Sequence, residues 1–194
     1  MNTKDLLLHQ AVVLFTKNGY DNTSIQDITS VCAITKGAFY HHFKSKDEIF
    51  TQAMQVILEE IKNWTEGKNA ASKTLKELIQ NSFDYSDYFS YSKYYDNVSN
   101  DAYLVLIDSI KRFPEFKTGI ADYLFGNCQV IEEKCKEAQQ KGEVKNDIDP
   151  HIFALHIAVL MEGLLFASAV TGTESSLIAN GKKIAQNLWQ MLQP

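Results

Sequence analysis

From Thr29 to Lys46 the chain carries no acidic residue, while Lys36, Lys44 and Lys46 supply positive charge and His41 and His42 can add to it. The acidity resumes at Asp47, and the whole chain has a net charge of −5. A local cationic strip on an acidic protein is suited to holding an anionic partner at one place. Its ammonium and imidazole groups are donors of the kind that meet anionic oxygens. Overall charge alone gives no basic footprint, so the reading rests on the strip.

Local elements must present these side chains. Leu7, Ala11, Leu14 and Phe15 recur at i, i+4, i+7 and i+8, which predicts an amphipathic helix closed by Gly19. Ser24-x-x-Asp27 has the form of a capping box and opens a second, short helix that buries Ile25, Ile28 and Cys32 and stops near Ala33. Thr35 is placed to cap a third helix, with Ala38, Phe39 and Phe43 inward and Lys36, Tyr40 and His41 outward. So short a gap between the second and third helices has the geometry of a helix-turn-helix, in which the second helix of the pair protrudes. Tyr20 is expected in the core beside Phe39 and Phe43.

Ser45-x-x-Glu48 is another capping box, opening a long helix through Ile49, Ala53, Val56, Ile57 and Ile61 toward Trp64. Beyond a polar patch from Glu66 to Ser72, helical patterns run from Leu75 to about Tyr95, Ala102 to Arg112, Ile120 to Lys141, Pro150 to Val170 and Ser175 to Leu192. No strand alternation or internal repeat interrupts them. The expected fold class is all-α with about nine helices: a three-helix helix-turn-helix domain over residues 1–62, its core at 24–43, then a larger helical domain over 63–194.

Composition supports a globular protein, with 45% hydrophobic and 22% charged residues. Cys32, Cys128 and Cys135 are too few and too scattered for a disulfide framework, and no Cys/His cluster suggests a metal. The apolar run near the N-terminus, Leu6 to Leu8, is far short of a secretion signal, and a cytoplasmic location is expected. His151 to Val170 is long enough to cross a bilayer, but His151, His156 and Glu162 interrupt it and no basic cluster flanks it; a helix buried between its own domain and a partner is the better reading, with no membrane involved. There is no nucleophile elbow, phosphate loop, metal-ligand set or usefully spaced carboxylate pair, so neither enzymatic activity nor a cofactor is expected.

Gly19-Tyr20, Thr23-Ser24, Ile28 and the run from Ile34 to Lys46 together resemble the DNA-binding region of the TetR family of regulators. The resemblance covers roughly residues 4 to 62. Thr29 and Cys32 stand where the family usually has alanine, and Ala33 replaces the glycine of the turn, so a left-handed backbone there would cost about 1 kcal/mol. The resemblance implies a homodimeric repressor on a near-palindromic double-stranded DNA operator, released when a small-molecule effector binds the C-terminal domain. An activator on the same scaffold and a thiol-based redox regulator using Cys128 and Cys135 stay open beside it; a small helical enzyme is the more distant alternative.

The resemblance also assigns roles. Lys36, Gly37 and Thr35 fall where family members meet bases; Thr23, Ser24, Tyr40, His41 and Lys46 match positions that grip phosphate, with Lys44 a further candidate. The last two helices match those through which the family dimerises, with Leu160, Leu164 and Leu165 pairing against Ile184, Leu188 and Trp189. Independently, the tyrosine-dense stretch offers Tyr85, Tyr88, Tyr91 and Tyr95 along one drifting helical face, which with Glu162 would suit a pocket for a lipophilic cation; a neutral aromatic effector, or tyrosines that are ordinary core and surface residues, stay open beside it. The long helix from Ser45 is the expected lever between pocket and reading head.

Overall fold

The computed structural model describes residues 2–87 and 100–194, and every regular element among them is a helix. In order these are α1 (Thr3–Asn18), α2 (Ile25–Val31), α3 (Lys36–Tyr40), α4 (Lys46–Ala71), α5 (Leu75–Ser82), α6 (Asn100–Arg112), α7 (Phe116–Gln140), α8 (Pro150–Thr171) and α9 (Glu174–Leu192). The chain divides into two compact units.

The first unit comprises α1 to α3, α4 as far as Ile61, and α6 through Phe116. The contact boundary within α4 thus lies at Ile61, and α6, in the part of the sequence beyond residue 62, groups with the first unit. It packs on α1, with Ala102, Leu106 and Ser109, at i, i+4 and i+7, as its buried side. Leu7, Ala11, Phe15, Ile28, Phe39, Phe43, Ile49 and Phe50 form the unit's core, each at most 1% exposed. Tyr20 is only half-buried. Its ring packs edge-on to Phe50 at 4.9 Å and lies between two cations, Lys46 Nζ at 4.1 Å and the Arg112 guanidinium at 4.3 Å. Its hydroxyl donates to the Asp47 carboxylate, and Arg112 also pairs with Asp21 at 2.8 Å. Partial burial and the Asp47 bond push the Tyr20 phenol up to about 12.

The second unit holds the rest of α4, α5, α7, α8 and α9. α4 continues to Ala71, through the polar patch expected to be a loop, because a polar run can be the outer face of a helix whose other side buries Trp64 and Thr65. α5 ends at Ser82, well before the expected limit near Tyr95. Asp84 forms a tight turn, its carboxylate accepting from the Ser86 amide at 3.1 Å, and α9 crowds the spot: a Cβ on Gly181 would collide with the Phe83 carbonyl. Trp64 stacks on Tyr85 at 5.9 Å and donates to Asp87 at 3.2 Å. α8 opens on an Asp149 cap with Pro150 in its first turn and closes at Gly172 in left-handed backbone.

Candidate nucleic-acid interface

The helix-turn-helix is built by three caps. Ser24 and Asp27 close a reciprocal capping box at α2, Thr35 accepts from the Ala38 amide at 3.1 Å at α3, and Ser45 accepts from the Glu48 amide at 3.1 Å at α4. Glu48 reaches back to the Lys44 amide at 2.6 Å, pinning the chain between α3 and α4. The turn from α2 to α3 carries Ala33 at φ 54, the one non-glycine residue with positive φ among those described. Hydrogen bonds from the Ala33 amide to the Ser30 carbonyl and from the Ile34 amide to the Thr29 carbonyl hold it there, at 3.1 and 3.0 Å. Alanine in place of the family's glycine thus takes left-handed backbone, at a cost in strain.

This frame sorts α3 and its flanks cleanly. Phe39 and Phe43 are buried at 0% and 1% exposure, while Thr35, Lys36, Gly37, Tyr40, His41, His42 and Lys44 are exposed. Tyr40 stands 55% exposed with its ring edge-on to Phe39. Seven of the nine candidate DNA contacts therefore lie on accessible surface: Ser24, Thr35, Lys36, Gly37, Tyr40, His41 and Lys44. Lys46 is half-buried, its ammonium seated on the Tyr20 ring.

Two assignments change. Thr23 is fully buried, and its hydroxyl donates to the carbonyls of Gly19 at 2.9 Å and Leu14 at 3.2 Å, so its side chain braces the turn before α2 and is closed to phosphate. Ser24 is exposed, but its hydroxyl and amide both face the Asp27 carboxylate, at 2.6 and 2.7 Å, and these bonds hold that carboxyl below the usual carboxylate range. A phosphate approaching Ser24 would meet that negative charge.

In the second unit, α8 exposes a continuous apolar stripe: Ile152, Val159, Leu160, Phe166 and Val170, with Val159 at 68% and Val170 at 61%. The opposite face buries Ala154, Ile157, Met161, Leu165 and Ser168. Leu165, expected at a dimer seam, is 4% exposed and belongs to its own protomer's core; Leu164 sits half-buried beside it, and Leu160 remains on the open stripe. The five-residue spacing from 160 to 165 turns the helix by more than a third of a circle, which separates the two leucines. On α9, Ile184, Leu188 and Trp189 are half-buried, and Lys76 of α5 lies over the Trp189 ring at 5.8 Å. A groove of about 350 Å³, lined by Ile152, His156, Leu188 and Met191 among others, continues the stripe between α8 and α9.

Of the expected aromatic effector pocket, the structure describes Tyr85 and Glu162. Tyr88, Tyr91 and Tyr95 lie outside the described residues. Tyr85 is fully buried in the turn after α5, stacked on Trp64, and Glu162 is half-buried on α8. Neither lines the α8–α9 groove. Cys128 and Cys135 are buried on α7, and burial pushes both thiols up, which disfavours the thiolate that oxidant sensing needs. Sequence reasoning missed Arg112, which reaches Tyr20 and Asp21 from far along the chain; a basic last turn on α6 was its one visible sign.

A short, capped, solvent-facing helix set across a second one defines a helix-turn-helix DNA-binding protein. Residues 7–53 match the family described as bacterial regulatory proteins, tetR family. The chain is 37% identical over 81 residues to the uncharacterized HTH-type transcriptional regulator YerO of Bacillus subtilis, and 30% identical over 83 residues to IcaR, the negative transcriptional regulator of the biofilm operon icaADBC in Staphylococcus aureus. Those stretches cover 40% and 42% of this chain but only 27% and 45% of the two relatives. The crystal structure of a TetR transcriptional regulator from Chloroflexus aurantiacus superposes with a TM-score of 0.78 at 22% identity, over 98% of this chain and 96% of that one. Over residues 7–53 the chain thus carries the N-terminal domain of the tetR family of bacterial regulatory proteins.

Proposed function

We propose that the chain is a cytoplasmic, non-enzymatic repressor, acting as a homodimer on a near-palindromic operator and released from it by a small-molecule effector. The observation that carries this reading is the exposed row on α3, Lys36, Gly37, Tyr40 and His41, held over the buried Phe39 and Phe43. Lys36, with Thr35 and Gly37, would meet base edges from the front of the helix, Lys36 donating to guanine O6 or N7. Tyr40, His41 and Lys44 would hold phosphates on either side, and Lys46 would join them on leaving the Tyr20 ring. The negative role is supported by the name of IcaR alone among the relatives above.

Dimerisation is supported by the apolar stripe of α8, which a lone protomer leaves in water. Ile152, Val159, Phe166 and Val170 replace Leu165 in the proposed seam, alongside Leu160 and the α9 residues Ile184 and Leu188. A two-fold axis through such a seam would present two copies of α3 to major grooves about 34 Å apart.

The test is fluorescence anisotropy on the DNA upstream of the protein's own gene. Lys36→Ala should reduce discrimination against operator variants by about 1 to 3 kcal/mol, while Lys44→Ala should weaken all duplexes alike and flatten the salt dependence by about one unit of slope. If both variants bind like the parent, the assignment of α3 to the groove fails.

A further inference from the structure

Between the C-terminal half of α4 and α7, within the second unit, lies a cleft of about 310 Å³ that none of the roles above uses. That volume stands at the lower end of the range for small-molecule sites. Lys62 and Glu66 line one wall, one turn apart on α4; Asp122, Tyr123, Gly126 and Val130 line the other, at i, i+1, i+4 and i+8 on α7. Asn69 donates to Asn127 at 2.9 Å and ties the walls together.

Two features mark the cleft as more than a gap between helices. Lys62, Glu66 and Asp122 make no ion pair or side-chain hydrogen bond among the described residues, so charges of both signs converge on the space without neutralising one another. Lys preceding Glu by four residues is also the weaker order for a pair along a helix. Gly126, inside a 25-residue helix, has no packing reason to be glycine: a Cβ there would meet nothing within 4 Å. A mid-helix glycine weakens its helix relative to alanine, and here it leaves that part of the cleft wall without a side chain.

We propose that this cleft binds a free α-amino acid, and that this zwitterion is the effector that releases DNA; the second clause rests on the reading under Proposed function. The ammonium sits between the Glu66 and Asp122 carboxylates, the carboxylate meets Lys62, and the side chain lies along Tyr123 and Val130. An amine lacking the carboxylate would leave Lys62 without its partner, and an acid lacking the ammonium would leave both carboxylates without theirs.

The experiment titrates each standard amino acid, and each matching amine lacking the carboxylate, into the purified full chain by calorimetry without DNA. At least one amino acid binds once per protomer, and its amine binds at least tenfold more weakly, as does the amino acid itself to Lys62→Met, since each loses a charge-assisted contact. Gly126→Leu fills the cleft and abolishes binding with helicity and operator affinity retained; Asp122→Asn, a change of one atom at the rim, should weaken binding about tenfold and serves if the leucine variant folds poorly. No heat with any amino acid overturns the site. So does equal binding of amines, or undiminished binding by the Gly126→Leu and Asp122→Asn variants. The best amino acid is then added to the operator complex. Release supports its role as effector, and calorimetric binding without release keeps the site but overturns that role.

Discussion

Replacing Ala33 by glycine should stabilise the protein without altering what it reads. Ala33 holds φ 54 in the turn between α2 and α3, where its Cβ crowds the backbone. For an L-residue that conformation costs about 1 to 2 kcal/mol, which glycine escapes. Glycine's greater freedom in the unfolded chain takes back about 0.4 to 1 kcal/mol, leaving a net gain of about 0.8 kcal/mol from the midpoints. For a chain of this size that corresponds to about 2 to 3 °C in melting temperature. Operator affinity should stay within about twofold, because the amide hydrogen bonds to the Ser30 and Thr29 carbonyls already hold the turn in the geometry that glycine would adopt. Ala33→Val supplies the opposite arm: a β-branched residue at positive φ is a steric outlier and should cost more than alanine, with lost DNA affinity if α3 shifts to relieve it. Melts followed by circular dichroism and anisotropy on one operator measure both quantities. A glycine variant less stable than the parent, or a valine variant equal to it, would show that Ala33 carries no strain.

Three further outcomes follow from the same structure. The Tyr20 phenol, held near pKa 12 by partial burial and Asp47, favours its neutral form in the folded state, so its stabilising contribution is full below about pH 10 and is lost as pH rises toward 12; Tyr20→Phe should remove that part of the alkaline loss in denaturant melts, and an unchanged profile would refute the coupling. Phe166→Asp places carboxylates in the proposed α8 seam, which costs several kcal/mol in an apolar interface, and should give monomers by sedimentation with weakened operator binding; an intact dimer would move the seam elsewhere. Cys32, Cys128 and Cys135 have thiols raised by burial, so a thiol reagent at neutral pH should label the folded protein slowly and the denatured one at once; rapid labelling of Cys128 or Cys135 in the folded state would reopen redox sensing.

Local chemistry was legible in the sequence wherever a short stretch decides its own conformation. The caps at Ser24, Thr35 and Ser45 and the inward set of Phe39 and Phe43 need only neighbours within a turn or two and stand as read, whereas Leu14, Ile25 and Ala38, expected inward, are half-buried and Glu48 returns to the Lys44 amide in place of that of Ser45. The strained backbone at Ala33 was foreseeable for the same reason. What lay hidden depends on which faces meet. Thr23 looked like a phosphate ligand until the end of α1 supplied two carbonyls for its hydroxyl, and Tyr20 looked like core until Arg112 and Lys46 closed on its ring. Periodicity made α8 apolar on nearly every side, so it could not tell Leu165, turned inward, from Val159 and Phe166, turned out. It equally could not see that α6 packs on α1, or that Lys62 and Asp122, 60 residues apart, face one cleft. Hydrogen bonds that close within four residues are written in local order, whereas burial is a property of surfaces brought together from distant parts of the chain, and only the folded chain assigns it.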